Sequence, residues 1–148
     1  MTPEAIECMG LLHWWRKSGP YTAYSDYLIR INNGGRRNKN QRIFDWKMGE
    51  VAGASDYFLA MPCGEYHGLF LEMKSKTGRP EPHQIRFLHD VQNTGYMGIV
   101  AYGDKEAREI LTAWMNERPE LIEWMQTCPR KKERNKLRKE RNAQSLQD

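Results

Sequence analysis

The sequence lacks the features that mark membrane and exported proteins. No uninterrupted apolar run approaches the roughly 18 residues that a membrane-spanning helix needs, and the start, Met1 to Glu4, is not the basic start of a signal peptide. Cys8, Cys63 and Cys128 stand far apart, and no histidine lies at ligand spacing from them. This pattern disfavours a disulfide framework and a structural zinc site. We expect an intracellular, cytoplasmic protein with reduced thiols and no membrane partner.

The positive charge is concentrated at the C-terminal end. The 148 residues have a net charge of +4 and a length typical of one domain. Residues 129–148 contain eight basic and three acidic residues, a net +5, which leaves −1 for residues 1–128. We therefore predict one domain over 1–128 and a basic tail over 129–148. The tail has almost no apolar face, so it is expected to be mobile, and its charge suits a polyanionic partner or simply solubility.

Hydrophobic periodicity predicts an α/β (α+β) domain with a central mixed sheet flanked by helices. Glu4, Cys8, Leu11 and Trp15 recur at helical spacing. Short runs at 27–31, 56–61, 68–74 and 96–102 are typical of strands, and the stretches 82–94 and 104–116 are typical of helices. Small residues between Gly49 and Ser55 indicate a bend or a close approach of the backbone.

Two of the predicted strands carry acidic side chains where they meet. Glu72 and Lys74 point to the same side of an otherwise apolar strand because side chains alternate between faces. Asp56 starts the neighbouring strand. If the two strands pair antiparallel, the start of the first meets the end of the second, and both carboxylates approach the ammonium of Lys74.

Converging carboxylates repel each other, and a divalent cation with hard oxygen ligands relieves that repulsion. The pattern therefore predicts a magnesium site, for which manganese would substitute, and hydrolysis of a phosphodiester with Lys74 orienting water or holding the phosphate. Gln84 heads the inward stripe of the next helix, and Glu4 enters from the first helix by the same logic. Both are candidate members of the site.

Basic residues and a glycine turn are the candidate DNA contacts. They are Asn33, Gly34, Arg36, Arg37, Lys39, Lys76, Arg79, Arg130, Lys131 and Lys132.

The order Asp56, Glu72-Met73-Lys74, Gln84 resembles the D, E-x-K, Q series of the PD-(D/E)XK nucleases. More narrowly, the chain resembles the VRR-NUC branch, the virus-type replication-repair nuclease domain, from about residue 4 to residue 107. The shared features include the early Glu4, the turn at 33–34, the small residues 49–56 and the linker 78–84.

The resemblance implies a restriction-endonuclease-like fold in which Asp56, Glu72 and the backbone carbonyl of Met73 bind the metal. Lys74 and Gln84 would assist, and Glu4 would complete the site. It further implies a homodimer that cuts branched DNA, including Holliday junctions, and it allows a phage-encoded protein acting in the host cytoplasm. The chain departs from the family at two positions. Ser55 replaces the usual proline, and Glu7 stands where a glutamine often follows the early acid, so the choice between Glu4 and Glu7 stays open.

Each candidate also has a structural explanation. Asp56 could cap a turn, Glu72 and Lys74 could form a solvated pair, Gln84 could be an exposed helix residue, and Glu4 could be an acid favoured in a first helical turn. At the level of function, the alternatives to a DNA endonuclease are a non-catalytic DNA-binding accessory protein and an exonuclease on the same fold.

Overall fold

The computed structural model describes residues 1–32 and 38–147. Within these two ranges, four strands and six α-helices follow one another in chain order. They are α1 Pro3–His13, β1 Leu28–Arg30, α2 Lys39–Lys47, β2 Tyr57–Leu59, β3 Leu69–Lys74, α3 Pro82–Gln92, β4 Met97–Tyr102, α4 Asp104–Met115, α5 Glu123–Gln126 and α6 Lys131–Ser145. A π-helical turn, Trp14–Ser18, extends α1, and 3-10 turns cover Thr22–Tyr27 and Pro119–Leu121.

The strands form one mixed sheet in the order β1-β2-β3-β4. β2 pairs antiparallel with both β1 and β3, whereas β4 pairs parallel with β3. The parallel connection needs a crossover, and α3 supplies it. This arrangement confirms the predicted α+β fold with a central mixed sheet flanked by helices.

Alternation along the strands gives each face of the sheet its own apolar cluster. One face packs against α1 and α4 through buried residues that include Leu11, Trp15, Leu59, Leu69, Leu71, Met73, Ile99, Ile110 and Trp114. The opposite face packs against α3 through Leu88, Val100, Tyr102, Phe70 and Phe87. Because Glu72 alternates with Leu71 and Met73, its carboxyl belongs to the second face and lies under α3.

Small residues before β2 allow a close approach to α3, as the sequence predicts. Gly53 has a φ of 84°, and a Cβ at this position would lie 2.5 Å from the carbonyl oxygen of His83. A side chain would therefore push α3 away from the sheet. Gly49 has a φ of 99° with open space around it, so there the glycine serves the bend itself.

The basic C-terminal segment is helical and attached to the domain. Arg134 of α6 is 1% exposed and donates to the carbonyl oxygens of Cys128, Val100 and Met125. A segment with almost no apolar face is here attached through one buried arginine with polar partners. The mobility expected for the segment and the division of the chain at residue 129 stay predictions.

The remaining expectations concern cysteines and membranes. Cys8, Cys63 and Cys128 are buried free thiols, in agreement with the sequence-based expectation. In the ranges 1–32 and 38–147, no helix has the length and apolarity required to span a bilayer.

Candidate active site

The pairing of β2 with β3 brings two carboxyl groups together. Tyr57 lies opposite Leu71 in the antiparallel register, so the preceding Asp56 meets Glu72. Asp56 Oδ2 accepts the backbone N–H of Met73 at 2.7 Å, and its side chain also hydrogen-bonds with that of Glu72. The predicted convergence of these two residues is therefore present, and Glu72 and Lys74 are buried rather than a solvated strand pair.

Lys74 lies between two acids contributed by different elements. Its Nζ is 3.3 Å from Glu72 Oε1 and 3.7 Å from Glu4 Oε2. The Lys74 side chain is 9% exposed, so the ammonium needs these carboxylates as partners. Glu4 thus reaches the site from α1. Glu7 instead accepts the backbone N–H of Asp104 at 2.6 Å and satisfies the first turn of α4.

Gln84 holds the two sides of the site together through both ends of its amide. Its Nε2 donates to Glu72 Oε1 at 2.8 Å, and its Oε1 accepts the backbone N–H of Glu81 at 2.8 Å. The second contact belongs to a capping box at the start of α3. The amide therefore orients the Glu72 carboxyl and fixes the beginning of the helix that covers it.

The environment of the site disfavours the charged form of its carboxyl groups. Burial raises the pKa of Glu72 to about 8, and the neighbouring Asp56 adds to this shift while Lys74 opposes it. Burial also raises the pKa of Asp56, against hydrogen bonding from Met73 and the charge of Lys74. The pKa of Glu4 is raised mainly by burial as well. Three acids close together are thus held at elevated pKa values.

A cleft of about 530 Å³ reaches two of these acids, Glu4 and Asp56, and contains arginines that were not predicted from the sequence. Glu4 and Asp56 line it together with Arg16 from the π-helical turn and Arg30 from β1. Arg30 pairs with Tyr57 across the β1–β2 ladder, which places it one residue from Asp56. In the sequence, Arg30 could have been noticed because it stands just before the glycine turn. The strand register is needed to show that Asp56 is the carboxylate it approaches.

The residues predicted to contact DNA fall into three groups. Arg79, Arg130, Lys131 and Lys132 line a common cavity of about 630 Å³ between the β3–α3 linker and the start of α6. Lys39, the first residue of α2, and Lys76, after β3, are exposed. The predictions for Asn33, Gly34, Arg36 and Arg37 lie outside the described residues.

The donor atoms suit a hard divalent cation. Asp56 and Glu72 present carboxylate oxygens, and the backbone carbonyl of Met73 belongs to the same strand end; oxygen ligands of this kind fit Mg²⁺. Within residues 1–32 and 38–147, no group of three or more His, Cys, Asp or Glu side chains is arranged as a metal site. Mg²⁺ commonly uses one or two carboxylates and fills its other positions with water or phosphate, so two acids suffice.

Comparison with known proteins supports the fold. No family model matches the sequence, and a search of curated proteins finds no match. Among solved structures, the chain is similar to a "VRR_NUC domain protein" with a TM-score of 0.66. The two chains are 20% identical, and the match covers 78% of this chain and 90% of the other. The architecture around Asp56 and Glu72 is therefore a VRR-NUC fold.

Proposed function

We propose that this protein is a VRR-NUC nuclease of the PD-(D/E)XK type that hydrolyses phosphodiester bonds within DNA with the help of Mg²⁺ or Mn²⁺. The observation that carries the proposal is the convergence of Asp56, Glu72 and Lys74 at one end of the β2–β3 pair. The structural similarity to a VRR_NUC domain protein is a second line of support. It is separate from the first, because a shared fold does not by itself require these three side chains to meet.

In this proposal Asp56, Glu72 and the carbonyl of Met73 hold the metal, with Glu4 at its edge. When bound, Mg²⁺ would supply a water of lowered pKa and would offset the negative charge that develops on the attacked phosphate. The elevated pKa values of Asp56 and Glu72 support a cationic ligand, since a divalent ion would stabilise the charged form of both carboxyls.

The protein's own side chains prepare the reaction. Gln84 orients the carboxyl of Glu72 through its Nε2. The Lys74 ammonium is positioned to hold a phosphate oxygen or the attacking water, and Arg30 adds positive charge to the cleft that the scissile phosphate would enter. Burial of Glu72 and Lys74, 1% and 7% exposed, excludes bulk water and strengthens these interactions.

The preferred substrate in this proposal is branched DNA, including four-way junctions, and the protein acts as a homodimer. The cavity lined by Arg79 and Arg130 supports contact with a DNA strand, since it lies beside Pro82 and Ile85 of α3, the helix that carries Gln84. The proposed homodimer needs an apolar surface for the second subunit. Such a surface is present in α2 and directly after it, where exposed apolar side chains include Phe44, Trp46 and Met48. Light scattering coupled to size-exclusion chromatography tests the dimer, and a monomer at all concentrations would contradict it.

Cleavage of a panel of DNAs tests the proposed activity. Labelled duplex, flap, fork and four-way-junction DNAs of equal length are incubated with Mg²⁺ and the parent protein, Glu72→Gln or Lys74→Ala. We expect cleavage to fall on the order of 1,000-fold in both variants, while binding persists. Glu65→Gln is the matched control because Glu65 is an exposed residue of the β2–β3 connection.

Three outcomes would redirect the proposal. Metal-dependent cleavage by Glu72→Gln at the parent rate would remove this site from the chemistry. Binding without any metal-dependent cleavage by the parent protein would favour the accessory DNA-binding function. Failure to nick covalently closed circular DNA, with linear DNA degraded, would identify an exonuclease.

A further inference from the structure

A second basic surface lies beyond the candidate active site, between α4, α5 and α6. It encloses about 970 Å³ and is called the α4–α6 groove. Among the described residues that line it, the basic ones are Lys105, Arg108, Arg118, Arg138 and Arg141, whereas Glu109 is the acidic one. Trp14 and Trp124 contribute aromatic surface. Basic side chains thus outnumber acidic ones in the groove, and arginines lie over the rings of Trp14 and Trp124.

Some of these cations are neutralised within the fold and others are not. Arg138 binds Glu106 and Glu109 at 2.9 and 3.0 Å, and Arg108 binds Asp104 at 2.8 Å. In the described part of the chain, neither Lys105 nor Arg141 has a carboxylate at salt-bridge distance. Arg141 instead stacks over Trp124 with its guanidinium 5.3 Å from the ring centroid. Lys105 and Arg141 therefore leave positive charge in the groove for an anionic partner.

The two cations without a carboxylate partner lie on different helices, which favours an extended polyanion over a small anion. Lys105 stands in the first turn of α4, and Arg141 lies near the end of α6. A single phosphate needs several donors aimed at the same position. A nucleic-acid backbone carries repeated charges, which match cations contributed by separate elements.

The helix α6 connects the groove to the cavity lined by Arg79, which lies beside the start of α3. The helix begins at Lys131, which lines the cavity beside Arg79 and the start of α3. From there it continues past Arg138 and Arg141, which line the groove. Its 15 residues span about 22 Å. At 3.4 Å per nucleotide, this length corresponds to about six nucleotides.

We propose that the α4–α6 groove binds the phosphate backbone of substrate DNA, within about six nucleotides, the length of α6, of the cavity lined by Arg79 and Lys131. The inference rests on the proposed nuclease function and adds a second DNA contact away from the acids. Deleting residues 130–148 is a poor test, because it also removes Arg134 and leaves the carbonyls of Val100 and Met125 without their donor. Substitution of groove cations that do not anchor α6 is the sharper test.

The experiment measures DNA binding by fluorescence anisotropy in metal-free buffer over a series of salt concentrations. It compares the parent with Lys105→Gln plus Arg141→Gln, on a duplex long enough to extend along α6 and on one that ends before it. For the long duplex we expect affinity to fall on the order of tenfold and the salt slope to decrease by about 2. Affinity for the short duplex should change less than about twofold, since it does not reach these cations.

Two further variants are the controls. Lys136→Gln plus Lys139→Gln removes the same charge from exposed α6 residues that do not line the groove, and should leave most of the salt slope intact. Lys105→Arg plus Arg141→Lys keeps the charge and should bind like the parent. The parent protein alone allows one further comparison. Its salt slope should be larger by about 2 on the long duplex than on the short duplex.

Each other result would overturn the groove proposal. Equal salt slopes of the parent on both duplexes would show that no contact is made along α6. If the groove pair and the control pair lost the same affinity for the long duplex, DNA would be responding to the overall charge of α6 and not to the groove. Competition by poly-glutamate as strong as that of DNA with the same charge would identify an acidic polypeptide as the partner. Mg²⁺-dependent cleavage of the short duplex separately reports the nuclease function, so either proposal can fail without the other.

Discussion

Glu72 is a carboxyl whose pKa is raised chiefly by burial, so a neutral residue at this position would favour folding. It is 1% exposed and lies beside Asp56, with Lys74 and Gln84 as partners. A residue that destabilises the fold but presents an anion at the end of a strand is typical of a functional site. Removing the charge should therefore reduce function and increase stability.

The pH dependence of stability tests this trade-off. The folded protein binds a proton at Glu72 up to about pH 8, whereas the unfolded chain releases it near the ordinary value of 4.5. This contribution to stability is complete below the lower pKa and is lost as the pH rises towards the higher one. We expect the unfolding free energy of the metal-free protein to fall by about 1 kcal/mol per pH unit between these values.

Urea titrations of the parent, Glu72→Gln and Glu65→Gln in chelator measure this slope. Glu72→Gln should lose most of it and should exceed the parent in stability above pH 8 by about 3 kcal/mol. Glu65→Gln should keep it, and added Mg²⁺ should flatten the slope of the parent. A parallel pH dependence in all three proteins would contradict the assigned environment of Glu72.

Glu4 and Glu7 are expected to separate catalysis from stability. Glu4 contacts Lys74, whereas Glu7 accepts the first amide of α4. We predict that Glu4→Gln lowers cleavage about tenfold with little change in stability, and that Glu7→Gln costs about 1 kcal/mol of unfolding free energy at nearly parental cleavage. Single-turnover cleavage and thermal unfolding provide the two measurements. Exchange of the two phenotypes would identify Glu7 as the acid of the site.

Some residues of the site can be predicted from the sequence, and others cannot. Alternation along one strand is a local rule, so Glu72 and Lys74 could be assigned to one face directly, and a short antiparallel connection adds Asp56. Arg30 could not be assigned because its approach to Asp56 depends on the β1–β2 register. That register is set by contacts between segments far apart in the chain.

Among the elements, α6 differs most from its sequence-based description. A helix that packs against a domain is normally recognised in the sequence by an apolar stripe along one face, and α6 has almost none. Its attachment depends instead on Arg134, which contacts three carbonyls and the carboxylate of Glu106, and on Arg138, which binds the carboxylates of Glu106 and Glu109 on α4. A periodicity rule cannot detect an anchor made by one buried cation, because the partners lie on other elements.

Substitution of Arg134 tests this anchor. Arg134→Ala should lower the free energy of unfolding by about 3 kcal/mol, since it leaves the carboxylate of Glu106 and several carbonyls without their donor. Lys136→Ala, an exposed substitution on the same helix, should change it by less than about 0.5 kcal/mol. Chemical denaturation measures both. Equal, small effects would show that α6 is not held by Arg134.

At the scale of the whole molecule, the mixed sheet explains why the acids meet at one place. The antiparallel β2–β3 pair brings Asp56 to Glu72, and the parallel β3–β4 pair requires the crossover α3 that delivers Gln84. Periodicity predicted these strands and helices and the α+β class. It did not predict the groove between α4 and α6, because that surface depends on how three helices pack.

The most direct test of the account is the position of a divalent ion. Crystals soaked in Mn²⁺ and measured near the manganese absorption edge should show an anomalous peak about 2 Å from carboxylate oxygens of both Asp56 and Glu72. The same soak of Glu72→Gln crystals should show a weaker peak or none. A parent protein without a peak between these two residues, at Mn²⁺ concentrations that support DNA cleavage, would contradict the central claim.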